Sequence, residues 1–365
     1  MRAPTREKGV RFILTTEVED SRRVHHLLIF PSLSAVEEMR ERLSPPYSSD
    51  IENEGRPRVN LSAAEIADLA NELDVLIGPA HAFTPWTALY KEYNSLREAY
   101  DGGARIDFLE LGLSADSEMA DMIRSHHSLT YLSNSDAHSP MPHRLGREFN
   151  RFEVDEATFE EVRKAILKRG GRKIVLNAGL DPRLGKYHLT ACSRCYTKYS
   201  LEDAEAFRWK CPKCGGRIKK GVRDRILELA DTEERPNDRP PYLRLAPLAE
   251  IIAMVIGRGG VETKAVRAIW ERFLREFRSE IRVLVDVPPI ESLAEVHEEV
   301  AKAVWAYRKG KLSVIPGGGG GKYGEIRLPE EIRNAKIEDL ESIEINVSED
   351  EYRPRQTSLM KFLRR

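Results

Sequence analysis

Short apolar runs separated by helix-like segments are the feature that most restricts how this chain can fold. The runs lie at 10–16, 24–30, 73–80, 105–111, 129–134 and 172–178. Between them, segments such as 61–73 have helical periodicity, and Ser62 and Glu65 there have the spacing of a capping box. This repeated alternation of strands and helices predicts an α/β fold built on a parallel sheet or barrel.

Five potential metal ligands stand at or near the ends of these runs. They are Glu17, His26, His81, Asp136 and His138. Parallel α/β folds collect catalytic groups at strand ends, and Asp136 and His138, two residues apart, share one face of an extended segment. We expect them to hold two or three divalent ions (zinc, magnesium or manganese), which activate water and neutralise a phosphoryl group. Of the two adjacent histidines, His25 is assigned to the core.

All four cysteines lie in one short segment. They form two C-x2-C pairs separated by 15 residues: Cys192, Cys195, Cys211 and Cys214. This spacing predicts a closed, structural zinc site rather than disulfides. Aromatic residues are interleaved with basic ones around the pairs: Tyr196, Tyr199, Phe207 and Trp209. Such a mixture is compatible with DNA contact and also with a small core of the module itself.

The C-terminal part is mainly helical by its pattern. Helices are predicted at 248–256, 262–277 and 292–309, and a strand at 281–287, after a proline-containing linker at 231–241. Five glycines at 317–321 precede Lys322, but no Ser or Thr follows the lysine as a P-loop requires, so ATP binding is excluded. The glycine loop is compatible with close approach to DNA and equally with a flexible connector.

Size and composition restrict the class of protein. A chain of 365 residues exceeds one ordinary core, so several domains are expected. With 41% hydrophobic and 32% charged residues it has the composition of a soluble protein, and no apolar stretch approaches the ~20 residues that cross a bilayer. The N-terminus lacks the apolar core of a secretory signal. We therefore expect a cytoplasmic protein.

The last residues carry a separate binding signal. The terminal pattern Q-x-x-[LIM]-x-x-[FY]-[FLY] is filled by Gln356, Leu359, Phe362 and Leu363. In one helical turn the three apolar residues lie on the same side and can enter a hydrophobic groove. This octapeptide resembles the PCNA-interacting peptide of replication and repair proteins, which implies a sliding clamp as partner. The alternative is an amphipathic end that packs on its own domain.

Several segments resemble a known superfamily. The segments 16–19, 26–28, 78–83 and 135–139 resemble the later motifs of the PHP superfamily of metal-dependent phosphoesterases. Together with PHRLGREF at 142–149, the ordered set is similar to endonuclease Q, a family of archaeal and bacterial DNA repair enzymes, over nearly the whole chain. The resemblance implies a metal-dependent endodeoxyribonuclease that incises DNA 5′ to uracil, hypoxanthine, xanthine and abasic sites.

The resemblance also implies an architecture. It consists of a PHP-type βα barrel at 1–185, a four-Cys zinc ribbon at 186–222, an α+β DNA-contacting domain at 223–330 and a charged tail at 331–365. The five ligands match the family's later ones, and Arg144 or Arg147 would neutralise the scissile phosphate. PHP proteins open with a His-x-His motif and a following Asp, which this sequence lacks before Glu17. We therefore expect a partial barrel, a chain that starts partway through the domain, and weaker metal binding.

Two other functions remain open at this point. A PHP phosphatase for small molecules would hydrolyse free phosphomonoesters, but it leaves the cysteine module and the terminal peptide unexplained. A catalytically impaired homologue would bind DNA and a sliding clamp without cleavage.

Overall fold

The computed structural model describes residues 9–44, 47, 56–101, 104–138, 141, 147–257, 260–285 and 288–343. Arg144 lies outside these described residues, and so do the four residues of the terminal peptide: Gln356, Leu359, Phe362 and Leu363. No helix in the described ranges is long and apolar enough to cross a membrane.

The fold begins with a three-stranded antiparallel sheet. It consists of β1 (Leu14–Glu19), β2 (His25–Phe30) and β3 (Leu76–Pro79), with β2 in the middle. The helices α1 (Leu33–Leu43) and α2 (Ala63–Glu72) connect β2 to β3, and α2 starts with the predicted capping box at Ser62 and Glu65. Both helices pack buried apolar side chains, such as Met39 and Ile66, into the first core.

Short elements extend this first core. After α3 (Leu89–Glu92) and α4 (Leu96–Ala99), β4 (Phe108–Glu110) pairs in parallel with β5 (Thr130–Leu132) across α5 (Ser117–Asp121). Then β6 (Phe149–Glu153) and β7 (Lys173–Leu180) form an antiparallel pair joined by α6 (Phe159–Ile166).

The expectation of one parallel sheet is therefore wrong for the N-terminal strands. The segment between β1 and β2 is too short for a crossover connection, which needs a dozen or more residues, so the two strands form a hairpin. Within the described residues the strands belong to separate small sheets, and none of these closes into a barrel.

The cysteine segment is a compact module. The two-residue strands β8 (Ala191–Cys192) and β9 (Ile218–Lys219) pair in antiparallel fashion around α7 (Leu201–Ala206). The next helix, α8 (Val222–Leu229), packs Val222 and Ile226 into the first core rather than against the module.

The C-terminal part has a helical core of its own. The strand β10 (Tyr242–Leu245) pairs in parallel with β7, and α9 (Leu248–Ile256) and α10 (Lys264–Phe277) follow. The predicted strand at 281–287 is wrong, because the described part of that segment is the helix α11 (Glu280–Leu284), with Ser279 as its cap. The chain continues with α12 (Ile290–Arg308), the hairpin β11 (Ser313–Ile315) and β12 (Glu325–Arg327), and α13 (Glu330–Asn334).

Candidate metal centre

The β1–β2 hairpin brings acidic residues and a histidine to one face of the first sheet. Glu17 and Glu19 share a face because they are two residues apart, and Glu19 is directly opposite His25. The Nδ1 atom of His25 lies 2.8 Å from Glu17 Oε1, and its Nε2 atom lies 3.0 Å from Glu19 Oε2. His81, just after β3, places Nε2 3.1 Å from His25 Nδ1. Donor atoms of Glu17, His25 and His81 all lie within 4.8 Å of one another, and we call these residues the Glu17 cluster.

The choice between the two adjacent histidines requires a correction. His26 is opposite Val18 and points to the other face of the hairpin, where it is fully buried. Its Nε2 atom lies 3.1 Å from Asp20 Oδ2 and its Nδ1 atom 2.9 Å from the hydroxyl of Tyr100. The prediction that His26 joins the ligand group is therefore wrong, and His25 occupies that place.

Neighbouring groups orient both imidazoles of the cluster. Because Glu19 accepts a hydrogen bond from Nε2–H of His25, the Nδ1 atom of that ring faces Glu17 and His81. In the same way the hydroxyl of Thr84, 3.0 Å from Nδ1 of His81, leaves Nε2 of that ring facing the cluster. Carboxylate and hydroxyl partners of this kind are the usual supports of metal-binding histidines. The donor set therefore fits a divalent cation.

The charges inside the cluster are strongly coupled. Burial alone would raise the pKa of Glu17, but hydrogen bonds with His25 and His81 outweigh it and hold that pKa well below its usual range. For His81, burial works against protonation, yet the hydrogen bond with Glu17 and the nearby carboxylates raise its pKa. Without a metal ion, a proton on the imidazole of His81 thus compensates Glu17, and a cation binding here would displace it.

Two buried carboxyl groups beside the cluster have oxygen atoms without a hydrogen-bond partner among the described residues. Glu110 accepts a hydrogen bond from the backbone N–H of His81 through Oε2, at 2.5 Å, but its Oε1 atom has no partner among the described residues. Both carboxylate oxygens of Glu148 are buried and have no hydrogen-bond partner there either. Burial raises the pKa of Glu110 to about 7 and that of Glu148 to about 7. Each therefore keeps its proton to a higher pH than an ordinary carboxyl group does.

The remaining predicted residues lie beside the cluster rather than in it. Asp136 and His138 are exposed and contact each other, with 3.3 Å between Oδ1 and Nε2. The charge of Asp136 still acts on His81, Glu110 and Glu148, so it lies near all three. Arg147 is largely buried, 3.8 Å from Glu148, and its Nε atom has no hydrogen-bond partner in the described part of the chain.

The sequence contains a pattern from which the site residues Glu19, His25 and Glu110 could have been predicted. A two-residue period applied to an antiparallel hairpin groups Glu17, Glu19 and His25 on one face and separates His26. Glu110 ends β4, the same kind of position that singled out His81. For Glu148, no signal was available, because nothing local indicates its burial.

The four cysteine thiols converge as their spacing predicts. Cys192 Sγ lies 3.5 Å from Cys214 Sγ, Cys195 Sγ lies 3.6 Å from Cys211 Sγ, and all four atoms lie within 4.8 Å of one another. These separations fit ligands at about 2.3 Å around one tetrahedral zinc ion. The four-cysteine group is thus a second, closed candidate site.

The aromatic residues of the cysteine module divide into two groups. Tyr199 and Trp209 pack against the buried cysteines, as the interpretation of a small core predicted. Tyr196 and Phe207 are exposed and remain available for contact with a partner.

The glycine loop at 317–321 is not a flexible connector, because it packs on the segment 186–192. Backbone hydrogen bonds join Gly317 and Gly319 to Leu189, and Gly320 to Lys186. A side chain on Gly319 would approach the carbonyl oxygen of Cys192 to 2.5 Å. Glycine is needed because the loop lies directly on the cysteine module.

Two solved structures are similar to this chain over most of its length. The lesion-specific endonuclease PfuEndoQ from Pyrococcus furiosus is 75% identical, with a TM-score of 0.88 over 93% of this chain and 84% of that one. The structure of endonuclease Q in complex with a 27-mer duplex substrate, with an abasic lesion at the active site, is also 75% identical. Its TM-score is 0.86 over 92% of this chain and 84% of that one.

Relatives known by sequence extend the comparison. The uncharacterized protein MJ0043 from Methanocaldococcus jannaschii is 53% identical over 67% of this chain. The matched part covers only 31% of the length of MJ0043. The uncharacterized protein YqxK from Bacillus subtilis is 33% identical over 87% of this chain and 80% of its own length. Residues 247–311 match the family model of the MJ0043 C-terminal domain.

Proposed function

Because this chain belongs to the endonuclease Q family, we propose that it is a metal-dependent endonuclease that cleaves DNA at abasic sites. The observation that carries the proposal is the Glu17 cluster, a buried two-histidine and carboxylate donor set in a chain 75% identical to a lesion-specific endonuclease. We extend the substrates to uracil, hypoxanthine and xanthine, with incision on the 5′ side, on the family resemblance alone. Such an enzyme would work in the cytoplasm.

Each residue in and around the Glu17 cluster would have a separate role in this reaction. A divalent cation held by Glu17, His25 and His81 would lower the pKa of a bound water and neutralise charge on the phosphoryl oxygens. Glu19 and Thr84 keep the two imidazoles in the orientation that binds a cation. Asp136 and His138 supply further donors beside the cluster, and Arg147 supplies positive charge for the scissile phosphate.

The test is incision of an abasic duplex compared with the same undamaged duplex, with magnesium, manganese or zinc. We expect lesion-dependent cleavage that His81→Ala abolishes and the exposed variant Lys336→Ala leaves unchanged. Absence of lesion-dependent cleavage with every metal would refute the proposal. Lesion binding without cleavage would support the catalytically impaired homologue instead, and hydrolysis of free phosphomonoesters would support the small-molecule phosphatase.

We also propose that the four cysteines hold a structural zinc ion. Their separations and the closed arrangement support it. Cys195→Ser should remove about one equivalent of zinc and expose the module to proteases, whereas Ser193→Ala, between the ligands, should keep the metal. Full zinc content in Cys195→Ser would contradict this assignment.

The terminal peptide supports a further proposal, binding to a PCNA-like sliding clamp. Its support is the residue pattern alone, because Gln356, Leu359, Phe362 and Leu363 lie outside the described residues. The double variant Phe362→Ala and Leu363→Ala should lose clamp binding in a calorimetric titration. Lys361→Ala, at a position that the pattern leaves open, is the matched control, and clamp binding by the double variant would contradict the proposal.

A further inference from the structure

A row of aromatic rings and lysines, half-exposed in its middle and exposed at both ends, crosses from the loop that follows His81 to the residues just after the glycine loop. Its members are contributed by four segments that are distant in sequence: Trp86, Lys186, Tyr187, Lys219 and Tyr323. We call these five residues the aromatic strip. Trp86 and Tyr323 are 53% and 63% exposed, far more than large aromatic side chains usually are.

The rings and the lysines of the strip contact one another. Trp86 meets Tyr187 edge to face, with ring centroids 6.3 Å apart. The Nζ atom of Lys219 lies 5.9 Å from the ring centroid of Trp86. Lys186 lies between two rings, with Nζ 5.3 Å from the centroid of Tyr187 and 5.4 Å from that of Tyr323.

The two lysines of the strip are unpaired cations. Among the described residues, no carboxylate oxygen lies within 4.0 Å of Nζ of Lys186 or Lys219, in contrast to other lysines nearby. Lys220, for example, pairs with Glu228, and Lys322 with Glu325. The strip therefore offers positive charge that no acid in the described part of the chain neutralises, and this charge lies against aromatic faces.

The glycine loop keeps the strip in place. A side chain on Gly320 would lie 2.8 Å from Cε1 of Tyr187 and 3.0 Å from Nζ of Lys219. Absence of that side chain lets the loop pass under the strip and present Tyr323 beside Lys186. This accounts for a run of glycines that a simple connector does not need.

The strip is also connected to the Glu17 cluster. The hydroxyl of Thr84 lies 3.0 Å from Nδ1 of His81 and 2.9 Å from the carbonyl oxygen of Trp86. One short loop therefore positions both a candidate ligand and the first ring of the strip. A cavity of about 300 Å³, lined by Phe83, Thr84 and Lys220 among others, adjoins the same loop.

From these observations we infer that the aromatic strip binds a DNA strand next to the lesion, with bases stacked on its rings and phosphates on Lys186 and Lys219. The inference rests on the proposed function. Stacking on aromatic faces combined with lysine contacts to phosphates is how proteins bind unpaired strands without reading sequence. A lesion that has lost its base leaves such an unstacked segment.

The test is the equilibrium binding of a labelled abasic duplex at several salt concentrations. Each phosphate contact contributes about −0.9 to the slope of log K against log salt. The double variant Lys186→Gln and Lys219→Gln should therefore lower the magnitude of that negative slope by about 1.8. The control is Lys173→Gln with Lys336→Gln, which has the same net charge and alters exposed lysines outside the strip. It should bind like the wild type.

Trp86→Ala tests the stacking contribution separately. It should weaken binding about tenfold or more with an unchanged salt slope, because stacking of one base is worth about 1–3 kcal/mol. The inference fails if the strip variants bind like the control pair while the wild type still incises the lesion. It also fails if the wild type does not bind the duplex. A third outcome separates the two proposals: the wild type binds the duplex without cleaving it, and the strip variants lose that binding. This result would uphold the strip and overturn only the proposed catalysis.

Discussion

Glu19 and Thr84 determine which ring nitrogen of His25 and of His81 faces the Glu17 cluster. Each of them binds the ring nitrogen that faces away from Glu17, so the other nitrogen faces the cluster and can bind a cation once its proton is displaced. His26, one residue from His25, instead has both ring nitrogens occupied, by Asp20 and Tyr100. Two adjacent residues of the same type thus have different roles.

Replacement of each histidine should separate these roles. His25→Ala should lower the affinity for manganese or zinc at the Glu17 cluster at least tenfold, because it removes a donor atom. His26→Ala should keep that affinity but lower the free energy of unfolding by on the order of 3 kcal/mol, since Asp20 and Tyr100 lose their buried partner. Calorimetric metal titration and urea denaturation measure the two effects. Weaker metal binding by His26→Ala than by His25→Ala would contradict the assignment.

Glu148 should make the stability of the protein depend on pH. Its folded pKa of about 7 lies above the ordinary 4.5, so the folded state holds the proton more tightly than the unfolded state does. The associated stability is present below pH 4.5 and is lost as the pH rises through 7. Glu148→Gln should therefore unfold like the wild type near pH 5 and be more stable at pH 8, by up to about 3 kcal/mol.

The measurement is urea denaturation of both proteins at the two pH values without added divalent cations. Glu160→Gln removes one exposed carboxylate and serves as the control. A stability difference between Glu148→Gln and the wild type that stays constant from pH 5 to pH 8 would show that this carboxyl group does not titrate as proposed.

At the scale of elements, the loop after β4 fixes the position of His81. Gly112 has φ +66°, and a side chain on it would lie 2.7 Å from Cβ of His81. Gly112→Ala should therefore both strain the backbone and displace His81, with a loss of metal affinity of tenfold or more. Gly170 has φ +59° and open space around it, so Gly170→Ala shares the strain without the collision. Calorimetry should find unchanged metal affinity in Gly170→Ala, and equal affinities in both variants would refute the argument.

What could be predicted from the sequence depends on how local the signal is. The cysteine site followed from spacing alone, because both pairs lie in short turns, and the helix at 248–256 begins and ends as predicted. The pairing of β1 with β2 did not follow, because strand alternation was taken for parallel topology, and that error exchanged His25 and His26. The burial of Glu148 beside Glu110 could not be predicted either, because it depends on contacts between segments that are distant in sequence.

At the scale of the whole molecule, buried arginines join the C-terminal part to the first core. Arg244 in β10 places Nη2 2.6 Å from Asp116 Oδ2 and 3.1 Å from Glu118 Oε2. The predicted linker at 231–241 is fastened in the same way, because Arg239 contacts Asp121 and the carbonyl oxygen of Leu129. All three acids belong to or immediately precede α5, so this short helix receives contacts from two later segments.

Breaking the Arg244 contact should be far more harmful than breaking an exposed ion pair. Arg244→Met keeps the apolar stem but leaves Asp116 buried without its cation, a change that costs about 3–5 kcal/mol. Arg267→Met removes the exposed partner of Glu271 and should change stability by less than about 1 kcal/mol. Adding Asp116→Asn to Arg244→Met should restore part of the loss, since the neutral amide no longer needs a cation and can still cap α5. Urea denaturation of the wild type, Arg244→Met, Asp116→Asn and the double variant tests this, with Arg267→Met as the exposed control. Strictly additive effects would mean that Arg244 stabilises the junction by packing rather than by charge.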